Sequence, residues 1–222
     1  MSFISVFDVL GPNMIGPSSS HTAGAVRIGR IAGALLGETA VKAEIGLHGS
    51  FAKTYKGHGT DKALVAGIMG MEPSDGRIRQ SLVLANRQGM EISFYEMHID
   101  GAHPNTALIA LTGRSGKNIS LEGASIGGGN IRIHKVNGME VDISGAATTF
   151  IILHNDTPGA IAAVTQFLAG QNINIGSFRL SRRQKGGLAV MTLEVDSPVS
   201  TQLNQDLERL PNIISSTVLA PQ

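Results

Sequence analysis

The chain has 222 residues, a formal net charge of +1 from 18 Lys and Arg against 17 Asp and Glu, and no cysteine. That length suits one large domain or two small ones, and the balanced charge implies no polyanion partner. Without cysteine there is no disulfide, thiolate metal site or cysteine nucleophile, and with aromatics at 4% and no Trp there are few stacking platforms for nucleic acid.

The first ten residues carry Asp8 and lack a basic flank with an apolar run, so they do not read as a signal peptide. No stretch approaches the ~20 apolar residues of a membrane span, and a cytoplasmic protein without membrane contact is the expectation. Gly16-Pro17 leads into Ser18-Ser19-Ser20-His21-Thr22 and then a helical pattern over 23–36. There Val26, Ile28, Ile31 and Leu35 supply the apolar component, while Gly24, Gly29 and Gly33 permit close backbone approach. Each mid-helix glycine costs roughly 1 kcal/mol against Ala, so a tightly packed neighbour is expected. Residues 41–49 alternate as a strand, 60–70 and 77–87 read as helices, and 90–98 alternate again. Short strands follow at 107–112, 118–125, 130–136 and 139–143, with Asn137-Gly138 marking a type I′ hairpin between the last two.

Glycine is dense up to Ser144, and the chain is expected to divide there into domains 1–146 and 147–222. Beyond it come a strand at 149–154, a helix at 160–168, strands at 174–184 and 188–196, a helix at 201–209 and a strand at 213–219. That order, β-α-β-β-α-β, is ferredoxin-like. The fold class is therefore α+β: an amino-terminal mixed α/β sandwich, then a ferredoxin-like domain. A four-stranded sheet with helices on one face should leave an open face and an exposed edge that invites pairing.

Several motifs carry chemistry. The triple serine with His21 offers carboxylate donors beside a base whose unperturbed pKa near ~6.5 suits proton abstraction. The plainer reading is an N-cap in which Ser20 or Thr22 feeds the helix amides, and both can hold together. Gly57-His58-Gly59-Thr60-Asp61-Lys62 lacks the third glycine of a Rossmann fingerprint and the Gly-Lys-Ser/Thr of a P-loop. It reads as a flexible loop opening a helix, capped by Thr60 or Asp61, with substrate contact by His58 an open alternative. His103-Pro104-Asn105-Thr106 places two side chains on a rigid turn, for which Asx-turn chemistry is the plainer reading and catalysis the other. Gly127-Gly128-Gly129 reads as a bend between strands rather than an anion cradle. The histidines at 21, 48, 58, 98, 103, 134 and 154 show no HExxH or facial-triad spacing, so no metal site is expected in this chain. The basic residues Arg179, Arg182, Arg183 and Lys185 flank a hairpin turn and read as a solvated strand end, not a nucleic-acid surface.

In the second domain, His154-Asn155-Asp156-Thr157-Pro158-Gly159-Ala160-Ile161 joins the first strand to the first helix. Pro158 fits a first-turn helix position, Asp156 or Thr157 a cap, and Gly159 a close ligand approach, with free amides to attract a carboxylate. A capping loop with no ligand is the alternative.

That loop and the element order resemble an ACT domain over about seventy residues. The whole chain resembles the beta chain of the bacterial iron–sulfur L-serine dehydratase. The resemblance rests on Gly16-Pro17-Ser18-Ser19-Ser20-His21-Thr22, Gly57-His58-Gly59-Thr60-Asp61-Lys62-Ala63, His103-Pro104-Asn105-Thr106 and Ser125-Ile126-Gly127-Gly128-Gly129. It implies a lyase that turns L-serine into pyruvate and ammonia, with Lewis-acidic iron assisting loss of the hydroxyl. It implies a 4Fe–4S cluster held by cysteines of a partner alpha chain, with no ligand here, so that this subunit is inactive alone. His21, Ser19 and Ser20 would be catalytic, and Ser18, Thr22, His58, His103 and Asn105 would bind substrate. By the same resemblance the ACT domain would form a homodimer and hold L-serine or another small amino acid through Asn155, Asp156, Gly159 and Ala160. Two rivals stand beside this reading: a non-catalytic amino-acid sensor, and the regulatory region of a 3-phosphoglycerate dehydrogenase. The second is opposed by the absence of a Gly-x-Gly-x-x-Gly after a strand.

Overall fold

The computed structural model describes residues 14–16 and 18–221, so the 1–10 stretch and Pro17 of the first motif lie outside the described residues. The chain separates into two compact units, 1–133 and 134–222.

Among the described residues the first element of the first unit is a π-helical turn, Ser19–Gly24, continuing into α1, Ala25–Leu36. Then come β1 (Ala40–His48), α2 (Gly49–His58), α3 (Thr60–Ile68), a 3-10 turn (Gly76–Gln80), α4 (Ser81–Arg87), β2 (Glu91–Met97), β3 (Thr106–Gly113) and β4 (Asn118–Gly127). The hairpin β5 (Asn130–Val136) and β6 (Met139–Ile143) follows, and the division between units falls inside β5. The first sheet runs β2-β1-β3-β4-β5-β6, parallel between β1 and β2 and antiparallel from β1 through β3 to β4. Its register explains its sidedness. Ala43, Ile45 and Leu47 lie opposite Leu111, Ile109 and Ala107, which lie opposite Ile119, Leu121 and Gly123. These rows are buried, whereas the alternate positions Glu44 and Lys42 reach solvent.

Helix α1 packs on β3 and β4 and crosses α3. Glycines set that crossing: a Cβ at Gly29 would collide with the Leu64 carbonyl, one at Gly67 with the Val26 carbonyl, and one at Gly33 with the Ile68 carbonyl. The close approach expected for Gly29 and Gly33 is thus met by a reciprocal glycine on α3.

The second unit carries β7 (Thr148–Asn155), α5 (Ala160–Gly170), β8 (Ile175–Arg182), β9 (Leu188–Val195), α6 (Thr201–Glu208) and β10 (Ile213–Leu219). The sheet order β10-β7-β9-β8 is that of the ferredoxin-like ACT fold. Phe150, Ile152, Met191 and Leu193 on one face meet Val164 and Leu168 of α5 and Leu207 of α6 in a single core. The opposite face departs from the expectation of an open surface. The β5–β6 turn, with Asn137 at φ 50° and Gly138 at φ 73°, brings β6 against β8 and β9, and Val190 and Thr192 on that face are buried. The Arg183 guanidinium donates to the Asn137 carbonyl and fastens that turn.

Two local corrections follow from helix chemistry. The Gly57–Lys62 segment is not a flexible loop: His58 ends α2, Gly59 at φ 71° turns the chain, and α3 begins at once with no side-chain cap from Thr60 or Asp61. In the second unit Gly159, at φ 90°, caps α5, so neither Asp156 nor Thr157 does, and Pro158 stands before the helix rather than in its first turn. Among the described residues no helix is long and apolar enough to cross a membrane.

Candidate functional site

The first motif folds around Ser18. Its backbone is extended and its Oγ accepts from the His21 N–H at 3.2 Å, so Ser18, rather than Ser20 or Thr22, is the cap. The same hydroxyl lies 3.4 Å from His21 Nδ1, and Ser50 Oγ lies 3.3 Å from Nε2 on the other side of the ring. Phe51 meets the imidazole edge-on at 5.2 Å between centroids, and the His58 ring lies 4.9 Å away. His21 is thus gripped by two hydroxyls and an aromatic face. Burial first, and then the nearby charge of His58, hold its pKa below the ordinary 6.5. At neutral pH it is a free base. Ser19 and Ser20 are half-buried in the turn beside it, and His58 is exposed.

The third and fourth motifs reach this place through α2 and α1. The Pro104 carbonyl accepts from the Phe51 N–H at 3.3 Å, which seats the 103–105 loop against the start of α2. Within the loop the Asn105 N–H donates to His103 Nδ1 and the Thr106 hydroxyl donates to the His103 carbonyl, so the histidine ring, rather than an Asn side-chain oxygen, closes the turn. The Asn105 side-chain amide donates to the Ser125 carbonyl at 3.4 Å while the Ser125 N–H donates to the Asn105 carbonyl at 3.0 Å. Gly24 leaves room for the Ser125 side chain, and Arg27 Nη1 donates to the Gly129 carbonyl at 2.7 Å. Gly127, Gly128 and Gly129, all at positive φ, form the bend expected of them. The first two motifs thus meet at the His21 imidazole, and the third and fourth join this part of the fold through Phe51 and Gly24 rather than by touching the ring.

Next to this cluster lies a cavity of about 410 Å³ lined by Gly16, Thr22, His58, Lys56, Lys62 and Arg79, among others. Thr22 is 2% exposed, and its hydroxyl has no hydrogen-bond partner among the described residues. Ser50, Phe51, Lys56 and Arg79 escaped the sequence reading. Ser50 and Phe51 open a helix that the hydrophobic pattern did not announce, and Lys56 and Arg79 lie outside the four motifs, whereas Lys62 belongs to the second of them.

In the second unit the candidate effector loop is built differently. Asp156 Oδ2 accepts from the Gly186 N–H at 2.9 Å and from Arg182 Nη1 at 2.6 Å, and these two contacts, in that order, pull its carboxyl below the usual range. Its carboxylate ties the β7–α5 loop to the β8–β9 turn instead of facing open solvent. Asn155 and Gly159 are exposed, nothing lies within 4 Å of where a Gly159 Cβ would stand, and Ala160 is buried at the helix start.

Comparisons with known proteins identify the family. The serine dehydratase beta chain family profile matches residues 5–89, and that of the AHAS small subunit-like ACT domain matches 150–215. The chain is 44% identical over 99% of its length, and 100% of the relative's, to a probable L-serine dehydratase beta chain of Bacillus subtilis. It is 39% identical to the L-serine dehydratase beta chain of Peptoniphilus asaccharolyticus, covering 91% of this chain and 92% of that one. A D-3-phosphoglycerate dehydrogenase of Archaeoglobus fulgidus is 28% identical over 87% of this chain but only 37% of its own. With end-to-end identity of this order, and an ACT domain at its carboxy-terminal end, the chain belongs to the L-serine dehydratase beta-chain family.

Proposed function

We propose that this chain is the beta subunit of a two-chain L-serine dehydratase, with residues 1–146 presenting substrate-facing groups and 147–222 forming a regulatory ACT domain. The observation that supports this reading is the pairing of His21 with His58, from the first two motifs, with the third and fourth motifs packed alongside through Phe51 and Gly24. His21 takes the α-proton of L-serine, and the β-hydroxyl leaves as water. The resulting aminoacrylate tautomerises to an imine, water adds, and ammonia departs to leave pyruvate. Ser18 and Ser50 fix the ring, Ser19 and Ser20 offer hydroxyls to the substrate carboxylate, and Thr22, His58, His103 and Asn105 complete the binding face.

A 4Fe–4S cluster does not fit the residues present. The chain has no cysteine, and among the described residues no three His, Asp or Glu side chains gather to hold a metal ion. We place the cluster's ligands on the alpha chain. The isolated chain is expected to form no pyruvate from L-serine, and anaerobic addition of a cysteine-bearing alpha chain should restore it. Serine-dependent pyruvate from this chain alone, free of iron, overturns the two-subunit reading. A pure amino-acid sensor would instead show no alpha-chain dependence and no turnover in any mixture. The phosphoglycerate dehydrogenase reading is disfavoured because the Archaeoglobus fulgidus enzyme is 28% identical and matched over 37% of its own length, against 44% identity over 100% of the Bacillus subtilis beta chain.

For the second unit we propose a homodimer through the edge strand β8, with L-serine or another small amino acid held near the seam by Asn155, Gly159 and Ala160. Asp156 serves here by positioning the loop. Phe178 is 43% and Leu180 37% exposed on β8, an apolar pair on an unpaired edge. Leu180→Asp together with Phe178→Asp should shift the sedimentation coefficient from dimer to monomer without loss of helical circular dichroism. A double variant that sediments as the wild type removes β8 from the interface.

A further inference from the structure

An amino acid brings a carboxylate and an ammonium group into one cavity, and the wall beside His58 is mostly cationic. Lys56, Lys62 and Arg79 line it. Three cations suit the carboxylate and repel an ammonium held a few ångströms away. Asp61 opposes them. It stands in the first turn of α3 between Gly59 and Lys62, both of which line the cavity. It is 8% exposed, and its Oδ1 accepts from the Lys62 N–H at 2.8 Å, which fixes the carboxylate at the root of that lysine. The fully buried Ser81 hydroxyl donates to the Lys62 carbonyl at 2.7 Å and holds the same stretch of backbone. Burial, the largest influence, raises the Asp61 carboxyl above its ordinary 3.8, while the Lys62 N–H and the charges of Lys62 and Lys56 act in the opposite sense. Asp61 is therefore within electrostatic reach of one cation on α2 and one on α3. No other carboxylate among the described residues forms an ion pair with either lysine. An acid that served only the start of a helix would do so as well in solvent, without the cost of burial.

We propose that Asp61 is the positioning residue that makes this cavity select a zwitterion over a plain anion. It offsets half of the Lys56 and Lys62 charge, leaving enough for the substrate carboxylate and removing the excess that would expel the ammonium. It touches neither group of the ligand and acts through the two lysines. Such a role presupposes that the cavity is the amino-acid site of the proposed lyase. The ligand that measures it is L-glycerate, which keeps the carboxylate and β-hydroxyl of L-serine and carries a second hydroxyl in place of the ammonium.

The imidazole ¹H–¹⁵N signals of His58 are followed in the full chain while L-serine and L-glycerate are added separately. The wild type should bind L-serine at least as tightly as L-glycerate. Asp61→Asn should raise the affinity for L-glycerate relative to L-serine by about 10-fold, the scale of one charge removed at partly buried range. Asp61→Glu should restore most of the wild-type ratio. Lys56→Gln should move the ratio the other way, since it removes a cation and keeps Asp61. A loosened fold would weaken both ligands alike, so the ratio separates charge from packing. Where Asp61→Asn does not fold, the wild-type preference and the Lys56→Gln shift decide. Three results overturn the proposal: a wild type that prefers L-glycerate, a ratio unchanged in folded Asp61→Asn or in Lys56→Gln, or no His58 shift with either ligand at about 20 mM. No turnover enters this measurement. A complex with the alpha chain that makes pyruvate while Asp61→Asn keeps the wild-type ratio retains the lyase and loses the role of Asp61.

Discussion

His21→Ala, assayed in the complex with the alpha chain, lowers turnover by about 10²-fold or more, the scale of a positioned acid–base group. The loss should fall on kcat more than on KM, since the ring is assigned to the proton rather than to holding the substrate. His21→Gln keeps most of the volume against Phe51 and separates the chemical loss from a packing loss. Ser50→Ala should cost less, because Ser18 still holds the other ring nitrogen. The wild-type pH profile carries its own check. The His21 imidazole is held below its ordinary value of 6.5, so the free base survives to lower pH and the acid limb of kcat/KM should lie below 6.5. The same shift affects folding. The unfolded chain binds the extra proton first as pH falls below 6.5, so the His21 contribution to stability is present above that pH and declines below it. Unchanged turnover in a folded His21→Ala complex would reduce the motif to a helix cap.

The second unit was legible in the sequence almost element by element because its strands alternate cleanly and its helices are bounded by Gly159, Ser200 and the turn residues around them. The first unit was legible as a list of strands and helices, with one omission. Helix α2 buries only Phe51 and Ala52, so its sequence has no apolar stripe, and its first residue, Gly49, reads as the end of the preceding strand while Gly57 reads as loop. What holds it is tertiary: the Pro104 carbonyl meets its first turn, and Tyr55 stacks on Phe94 at 5.8 Å. That omission is why Ser50 was missed. The choice of cap among Ser18, Ser20 and Thr22 was equally beyond local pattern, because each is a competent hydroxyl. Ser18 stands in extended backbone just before the turn, where its Oγ reaches the His21 N–H, whereas Ser20 and Thr22 lie inside the turn. The motifs themselves were visible, but their convergence depends on contacts between distant segments that no spacing rule encodes.

The steepest stability effect is expected at Gly67. Two forces oppose each other there. Ala is favoured over Gly inside a helix by roughly 1 kcal/mol, so a substitution with free space would stabilise α3. Gly67 has no such space: an added Cβ would stand 2.8 Å from the Arg30 amide nitrogen and 2.9 Å from the Val26 carbonyl carbon, and closer still to that carbonyl oxygen. These are backbone atoms of a buried helix, which cannot rotate aside as a side chain could. Relief requires α1 and α3 to separate, and separation opens gaps along Ile28, Ile31, Leu64 and Ile68, all buried at or near this layer. Overpacking should therefore win, with Gly67→Ala destabilising the first unit by about 3 kcal/mol and lowering its melting temperature by roughly 10 °C. Gly170→Ala supplies the control, since that glycine also lies in a helix but has nothing within 4 Å of the added Cβ. It should be neutral or stabilising by up to about 1 kcal/mol. If both variants melt at or above the wild-type temperature, the two helices have slack at their crossing and the reciprocal glycines do not set it. If Gly67→Ala melts early while Gly170→Ala does not, the backbone contact between α1 and α3 is what fixes α1, and with it the turn that carries Ser18 and His21.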